Sequence, residues 1–223
     1  MKMITPLFSL PVYKYSINEK LYDRKNIINV IEKNYKKDKN RNIWEKDNEL
    51  LKSNIHHNFN DHENKYFEKP NFETILPVYK NIISDFLKDL SLKPKNINLN
   101  FEIVNYTCMT GNQYMKSHHH PHSDFTAVHY IKYNQDVHKP TLYENTHSFA
   151  SFSQYLRPNL KNVLNTDSCL NSWYNENHFL DVEEHDICIS PSFLFHSVPY
   201  QPQTTETRIT IVLNINLNSD DVA

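Results

Sequence analysis

The eight-residue stretch Ser117-His118-His119-His120-Pro121-His122-Ser123-Asp124 governs how the rest of the chain is interpreted. It holds four of the 13 histidines and one carboxylate, directly ahead of a strand-like segment at 125–133. Neutral imidazole and carboxylate are the usual protein ligands of ferrous iron. Two such groups at positions i and i+2 of an extended chain point to the same face. The stretch is therefore predicted to supply half of a metal site.

A third ligand is expected from Pro191-Ser192-Phe193-Leu194-Phe195-His196, where a lone histidine ends an apolar run. Further along, Arg208-Ile209-Thr210 opens a strand of alternating pattern. A facial triad on non-haem iron leaves coordination positions open for a co-substrate and oxygen. A dicarboxylate keto acid at that metal needs a cation for its far end, and the planar fork of arginine binds a carboxylate bidentately. We interpret His196 as the distal ligand and Arg208, assisted by the hydroxyl of Thr210, as the keto-acid anchor.

The identity of the first two ligands is open at this point. His122 and Asp124 fit the His-x-Asp spacing, but Asp124 lies only two residues before the next strand and leaves little chain for a turn. His118 and His120 leave a longer step and are favoured, with a mixed pair as a further alternative. The run could also be a surface histidine cluster without a native metal.

Composition limits the class of protein. The chain has 223 residues, with 24 Lys and Arg against 26 Asp and Glu, so the net charge of −2 does not favour nucleic acid as a partner. Its three cysteines are widely spaced and indicate neither a disulfide framework nor a zinc ribbon. No apolar run approaches the ~18 residues of a membrane span, and no secretion signal opens the sequence. We expect a cytoplasmic protein without a membrane segment.

Periodicity predicts helices first and strands afterwards. Apolar residues recur at helical spacing over 19–37 and 72–90, and alternation with period 2 begins near residue 97. In the last strand, one face should pack on helices while the other, which carries Arg208, looks into a polar cavity. This order argues for a sheet-rich barrel or jelly roll backed by two helices from the N-terminal half. We expect one domain, 1–223, with helical support mostly at 19–90, a barrel core at 97–217, and the strands 7–13, 97–108, 126–131, 141–144, 186–190 and 208–217.

Two further segments have weaker patterns. Residues 37–69 should form a long polar excursion whose histidines, His56, His57 and His62, face solvent. Residues 145–180, which include Trp173 and Tyr174, are interpreted as an elaborated loop or strand pair near the mouth of a pocket.

Together these motifs resemble the 2-oxoglutarate- and Fe(II)-dependent oxygenases, a double-stranded β-helix superfamily, and in particular a branch common in marine bacteria and their phages. That branch reads roughly His-x-His-Pro-x-Ser, Ser-Gly-Val-Tyr-Tyr, Leu-x-Phe-x-Asp-Pro, Pro-Ser-x-x-x-His-x-Val-Pro and Arg-Ile-Ser-Ile-x-x-Asn. Ala127 departs from it by replacing a glycine, and His185-Asp186 stands where Gly-Asp is usual. The matching segments here are 118–123, 126–130, 142–145, 191–199 and 208–214.

The resemblance implies iron held by His118, His120 and His196, with 2-oxoglutarate anchored by Arg208 and Thr210. Tyr130, Asn105 and Asn214 are candidates for lining the keto-acid or substrate pocket, whereas His129 should face a helix. The implied activity consumes O2 and oxidises a C–H bond, most simply as a hydroxylase, on a substrate that the sequence does not name. Two alternatives remain: a cupin-type metalloenzyme without a keto acid, and a non-catalytic jelly-roll binding or phage-associated protein.

Overall fold

The described residues form ten strands in two antiparallel sheets, between which the site lies. The computed structural model describes residues 10–37, 54–55, 68–92, 97–145 and 177–219. The strands are β1 (Tyr13–Ser16), β2 (Asn54–Ile55), β3 (Ile97–Met109), β4 (Met115–His118), β5 (Phe125–Lys132), β6 (Leu142–Glu144), β7 (Asn177–Phe179), β8 (Asp186–Pro191), β9 (His196–Val198) and β10 (Arg208–Ser219). The larger sheet has the order β1-β8-β5-β10-β3-β2 and the smaller one β4-β9-β6-β7. This architecture is the predicted double-stranded β-helix.

Two amphipathic helices cover the outer face of the larger sheet. They are α1 (Arg24–Lys37) and α2 (Leu76–Asp89). In each helix the buried residues recur every three or four positions, which gives one apolar stripe per helix. These stripes pack in one core cluster with the sheet residues Ile209, Ile211, Leu213 and Ile215.

Both helices begin later than periodicity predicted. Residues 19–23 form only a single 3-10 turn (Glu19–Leu21) and a bend before α1, and the Asn18 side chain accepts a hydrogen bond from the amide of Lys20. The α2 helix begins at Leu76, so that Pro77 lies in the first turn, where its missing N–H costs no helical hydrogen bond. Apolar spacing marks which face is buried, but it does not mark where backbone hydrogen bonding starts.

The strand β10 has the two faces that its alternation predicted. Ile209, Ile211, Leu213 and Ile215 face the helices, whereas Thr210 and Val212 line a cavity between the sheets. His129, on the helix side of β5, is fully buried, and its Nδ1 atom lies 2.8 Å from the hydroxyl of Tyr79 on α2. Because β10 pairs with both β3 and β5, it is an inner strand of the larger sheet.

The N-terminal strand was predicted too early. The prediction placed it at 7–13, but β1 spans Tyr13–Ser16 and residues 10–12 are not in a strand. The strand lies where its backbone pairs with β8, from Tyr13 opposite Ile189 to Ser16 opposite Asp186. Pairing with a neighbour, which the local sequence does not encode, decided its position. The predictions for 38–53, 56–67 and 146–176, including the solvent-facing histidines and the pocket mouth, lie outside the described residues.

Turns that need a positive φ use residues other than glycine. Asn112 (φ of 65°), Ser91 (60°) and His185 (77°) adopt the left-handed region. Within the described residues, no helix combines the length and apolar content needed to cross a bilayer.

Gly111, the single glycine of the chain, is required for space rather than for φ. A Cβ atom at this position would lie 2.7 Å from the carbonyl oxygen of Pro202 and 2.8 Å from Cα of Gln203, and it would collide with the amide of Thr204. The Gly111 amide also donates to the carbonyl of Thr204 at 2.9 Å. The turn that leads into β4 is therefore held tightly against the segment that leads into β10.

We predict that Gly111→Ala lowers the free energy of unfolding by about 1–3 kcal/mol, because backbone atoms rather than flexible side chains would have to move. Urea denaturation measures the change. Asn112→Gly, at the adjacent position, is the matched control and should leave stability nearly unchanged, since glycine adopts a φ of 65° without strain. An alanine variant as stable as the wild type would contradict the tight contact.

Candidate active site

Strand pairing brings the first and third predicted histidines together. His118 ends β4 and His196 begins β9, and the two are direct partners in the antiparallel register. His120 follows β4 and joins them, so that one ring nitrogen from each of His118, His120 and His196 lies within 4.8 Å of the others. Within the described residues, this is the group of histidines and acidic or thiol residues that could hold a metal ion.

A hydrogen bond orients each of the three rings. Nδ1 of His118 lies 2.8 Å from the carbonyl of Lys116, and Nδ1 of His196 lies 2.9 Å from the carbonyl of Leu194. Nδ1 of His120 lies 2.8 Å from Oδ1 of Asn214. Because these oxygens only accept, each Nδ1 carries the proton and donates it. A metal would therefore be bound through Nε2 of each ring, an arrangement typical of metal-ligating histidines.

The rings form a compact, largely buried cluster. Their centroids are 4.4 Å apart for His118 and His196, and 5.3 Å for His120 and His196, which stack at 11°. Burial lowers the pKa of His118 to about 4 and that of His196 to about 3, and burial also lowers the pKa of His120. The imidazoles are thus neutral at pH 7, which is the form that binds metals.

The Pro-Ser motif holds the histidine-rich connection in place. The Ser192 amide donates to the carbonyl of Asp124 at 3.0 Å, and the Ser192 hydroxyl donates to the carbonyl of Ser123. In return, the carbonyl of Ser192 accepts from the amide of His120 at 2.9 Å. The segment between β4 and β5 is therefore fixed from the start of the loop that leads to His196.

The competing pair His122 and Asp124 does not join this cluster. His122 is exposed. The Asp124 carboxylate accepts a hydrogen bond of 2.7 Å from the amide of Leu217, and its own amide donates to the carbonyl of Ile215. The side chain of Asp124 thus binds the Leu217 amide of β10, just beyond the last residue pair with β5, instead of facing the histidines.

Arg208 is fully buried, which is unusual for a charged side chain. Within the described part of the chain, none of its guanidinium nitrogens has a hydrogen-bond partner. Its Cζ atom lies 5.2 Å from the ring centroid of Tyr130, so the guanidinium packs over an aromatic face. Burial lowers the pKa of Arg208, which the phenols of Tyr130 and Tyr133 partly oppose. A buried cation without a counter-charge is strongly unfavourable, so this geometry calls for an anionic ligand.

The cavity beside the histidines is lined by polar and apolar side chains. Arg208 is not among them, but it precedes Thr210 by two residues on the same face of β10. Thr210 shares a 2.7 Å hydrogen bond with Thr107, and the buried Oδ1 of Asn105 has no partner among the described residues. Tyr130 is not part of the lining; its hydroxyl donates to Thr141, which is, at 2.8 Å. The lining consists of Asn105, Thr107, Met115, His118, His120, Val128, Thr141, His196, Val198, Thr210 and Val212.

Sequence reasoning missed Thr107 and Thr141 as lining residues. For Thr107 a signal existed, because alternation along β3 places it two positions from Asn105, on the same face. For Thr141 the sequence held no such signal, because it precedes the short strand β6 and reaches the cavity through tertiary contacts.

The only charge that the described residues place at the cavity is positive. Its described lining contains no carboxylate, and the buried, positively charged Arg208 lies on the strand face that Thr210 and Val212 present to it. A divalent metal on three neutral imidazoles would bring the total to three positive charges. A dianionic ligand that touches both the metal and Arg208 would neutralise most of this charge.

Comparison with known families agrees with this chemistry. Residues 105–214, which hold all three histidines, Arg208 and Thr210, match the family model described as "Putative 2OG-Fe(II) oxygenase". The chain belongs to the 2-oxoglutarate- and Fe(II)-dependent oxygenases, the family whose motifs it resembles. It is accordingly a non-haem iron, 2-oxoglutarate-dependent dioxygenase, and its cofactors are Fe(II) and 2-oxoglutarate.

The solved structures that are similar to the chain share little sequence identity with it. A prolyl-4-hydroxylase from Pseudomonas putida has a TM-score of 0.55 at 8% identity, over 93% of each chain. The viral collagen prolyl hydroxylase of Paramecium bursaria Chlorella virus 1, in complex with 2-oxoglutarate, has a TM-score of 0.49 at 14% identity, over 92% of this chain and 94% of that one. HygX from Streptomyces hygroscopicus, with nickel and 2-oxoglutarate bound, has a TM-score of 0.44 at 12% identity, over 93% and 82%. The first of these establishes the fold and nothing beyond it. No curated protein matches the chain.

We predict that His196→Ala abolishes stoichiometric metal binding, whereas His122→Ala retains it. The reason is that His196 lies in the histidine cluster and His122 is exposed outside it. Isothermal titration of the apo protein with Fe(II) or Co(II) under anaerobic conditions measures both. Loss of binding in the His122 variant with retention in the His196 variant would place the metal elsewhere.

Proposed function

We propose that this oxygenase is a hydroxylase in which His118, His120 and His196 hold Fe(II) while Arg208 and Thr210 hold 2-oxoglutarate. The observation that carries the assignment is a buried guanidinium with no hydrogen-bond partner among the described residues. It lies on the face of β10 whose Thr210 and Val212 line the cavity where three imidazoles converge. When bound, the iron and keto acid activate O2 and couple oxidative decarboxylation of 2-oxoglutarate to succinate and CO2 with insertion of oxygen into a C–H bond.

The donor set suits a divalent transition metal. The ring nitrogens of the three histidines lie within 4.8 Å of one another, as required of ligands around one ion, and the buried Nε2 of His120 has no other partner in the described chain. Three protein ligands on one side leave positions open for a chelating co-substrate and oxygen.

The binding of the keto acid depends on Arg208. A guanidinium can donate two parallel hydrogen bonds to the distal carboxylate, and in a dry site such a charged pair is worth more than at the surface. The hydroxyl of Thr210, on the same face of β10, supplies a further donor, and Thr107 fixes its rotation. Tyr130 keeps the guanidinium in place by lying against it, with its own hydroxyl held by Thr141.

Other residues keep water out and orient the reacting group. Apolar side chains wall the cavity beside the histidines, namely Met115, Val128, Val198 and Val212. Oδ1 of Asn105, which has no partner among the described residues, is an acceptor facing this space and can orient a hydroxyl group of a bound molecule. A dry, positively charged pocket favours a dianion that bridges its two ends.

We infer one domain over 1–223 and a cytoplasmic setting, to which the free, buried thiols of Cys108 and Cys188 conform. A cupin-type enzyme without a keto acid would supply no carboxylate for Arg208, whose guanidinium has no partner among the described residues. The arginine therefore favours the oxygenase.

We predict that Arg208→Met weakens 2-oxoglutarate binding by at least about 30-fold, because loss of one partner from a buried charged pair typically costs about 2–5 kcal/mol. Metal binding should be unchanged, and the apo protein should be no less stable, since the variant removes an uncompensated buried charge. The measurement is titration of the Fe(II) protein with 2-oxoglutarate under anaerobic conditions, followed by its visible charge-transfer band, with succinate release under air as a second readout.

Arg24→Met is the matched control. Arg24 is paired with Glu184 at 2.7 Å and donates to the carbonyl of Ile131, so it stabilises the contact of α1 with the sheet without touching the cavity. Its loss should lower stability and leave 2-oxoglutarate affinity intact. Equal 2-oxoglutarate affinity in the wild type and Arg208→Met would refute the proposed co-substrate site.

A further inference from the structure

Asn214 lies directly behind one of the three proposed ligands. Its Oδ1 atom accepts a hydrogen bond of 2.8 Å from Nδ1 of His120. The contact joins residues that are 94 positions apart, from the β4–β5 connection to the middle of β10. The ring of His120 is therefore oriented by a different element of the fold.

The other two histidines are oriented locally. His118 and His196 each donate Nδ1–H to a backbone carbonyl two residues earlier, at Lys116 and Leu194. A backbone carbonyl cannot be removed by substitution and moves together with its strand. His120 lies beyond the end of β4, where the chain turns towards β5, and its orienting acceptor is a side chain.

This difference makes His120 the ligand that depends most on its surroundings. A neutral imidazole has two tautomers, and the group that accepts from one nitrogen decides which nitrogen faces a metal. With an acceptor at Nδ1, Nε2 is deprotonated and points into the site. Without that acceptor, the ring can rotate or carry its proton on Nε2, and either change removes a ligand.

We propose that Asn214 is the positioning residue of the metal centre: it fixes the tautomer and rotation of His120 so that three imidazoles converge. The inference rests on the proposed metal site. An amide does this without adding charge, so the cavity keeps the positive potential that draws a dianion. Asn214 also shares its strand face with Arg208 and Thr210, so that β10 orients both the metal ligand and the co-substrate.

The test compares variants that remove the acceptor with one that keeps it. Asn214→Ala and Asn214→Val both lack an oxygen, and the valine, which suits a strand, guards against a folding defect specific to alanine. Asn214→Asp retains an acceptor of nearly the same shape. Asn216→Ala, two residues along the same strand with similar partial burial, is the matched control.

Affinity for Co(II) and Fe(II) is measured on the apo proteins by competition with a chelator, and the visible absorption of the Co(II) forms reports the coordination geometry. We expect metal affinity to fall by about 10–100-fold in Asn214→Ala and Asn214→Val, the usual effect of losing such a partner. Asn214→Asp should bind at least as tightly as the wild type, with the same Co(II) spectrum, and Asn216→Ala should be unchanged.

Wild-type affinity in both variants without the acceptor would overturn the role of Asn214 while leaving the proposed function intact. An equal loss in the alanine, valine and aspartate variants would also overturn it, because the residue would then be merely structural. A wild-type chain that binds no metal would instead refute the proposed function, and the role of Asn214 with it.

Discussion

The antiparallel pairing of β4 with β9 is the constraint on which the rest of the site depends. It sets His118 opposite His196, although the two are far apart in sequence, and the irregularity between Met115 and His118 adjusts their register. Each ring is then held by the backbone carbonyl two residues before it. His120 completes the cluster only because Ser192 fixes the connection that carries it. A shift of one residue in this register would turn one of the two histidines to the opposite face of the sheet, and the three rings would no longer converge.

The second requirement is that β10 serves two environments at once. Its isoleucines and Leu213 anchor the sheet to α1 and α2, which makes the strand rigid. Its other face carries Arg208, Thr210 and Asn214. Burying a guanidinium that has no partner among the described residues costs stability, and the apolar packing on the far side of the same strand offsets that cost. In the proposed site, Arg208 is thereby available to an anion, and Asn214 of the same strand orients one of the metal ligands.

Much of this arrangement could be predicted from the sequence, and the reasons differ by element. Period-2 alternation in β10 fixed which residues face the cavity, because a strand has only two faces. The choice between His118–His120 and His122–Asp124 could not be made from spacing, since it depends on where β4 ends and on the capture of Asp124 by the Leu217 amide. The start of β1 and the lining role of Thr141 were likewise out of reach, because both follow from pairing between distant segments. The hydrogen bond between Asn214 and His120 could not be predicted for the same reason.

The central claim is that three imidazoles and no carboxylate bind one metal ion. X-ray absorption spectroscopy of the Fe(II)-loaded protein, prepared without oxygen and before addition of 2-oxoglutarate, tests it most directly. The account predicts one iron per chain and multiple-scattering features of three histidine rings. Features of two or fewer rings, with a carboxylate oxygen from the protein in the first coordination sphere, would contradict it.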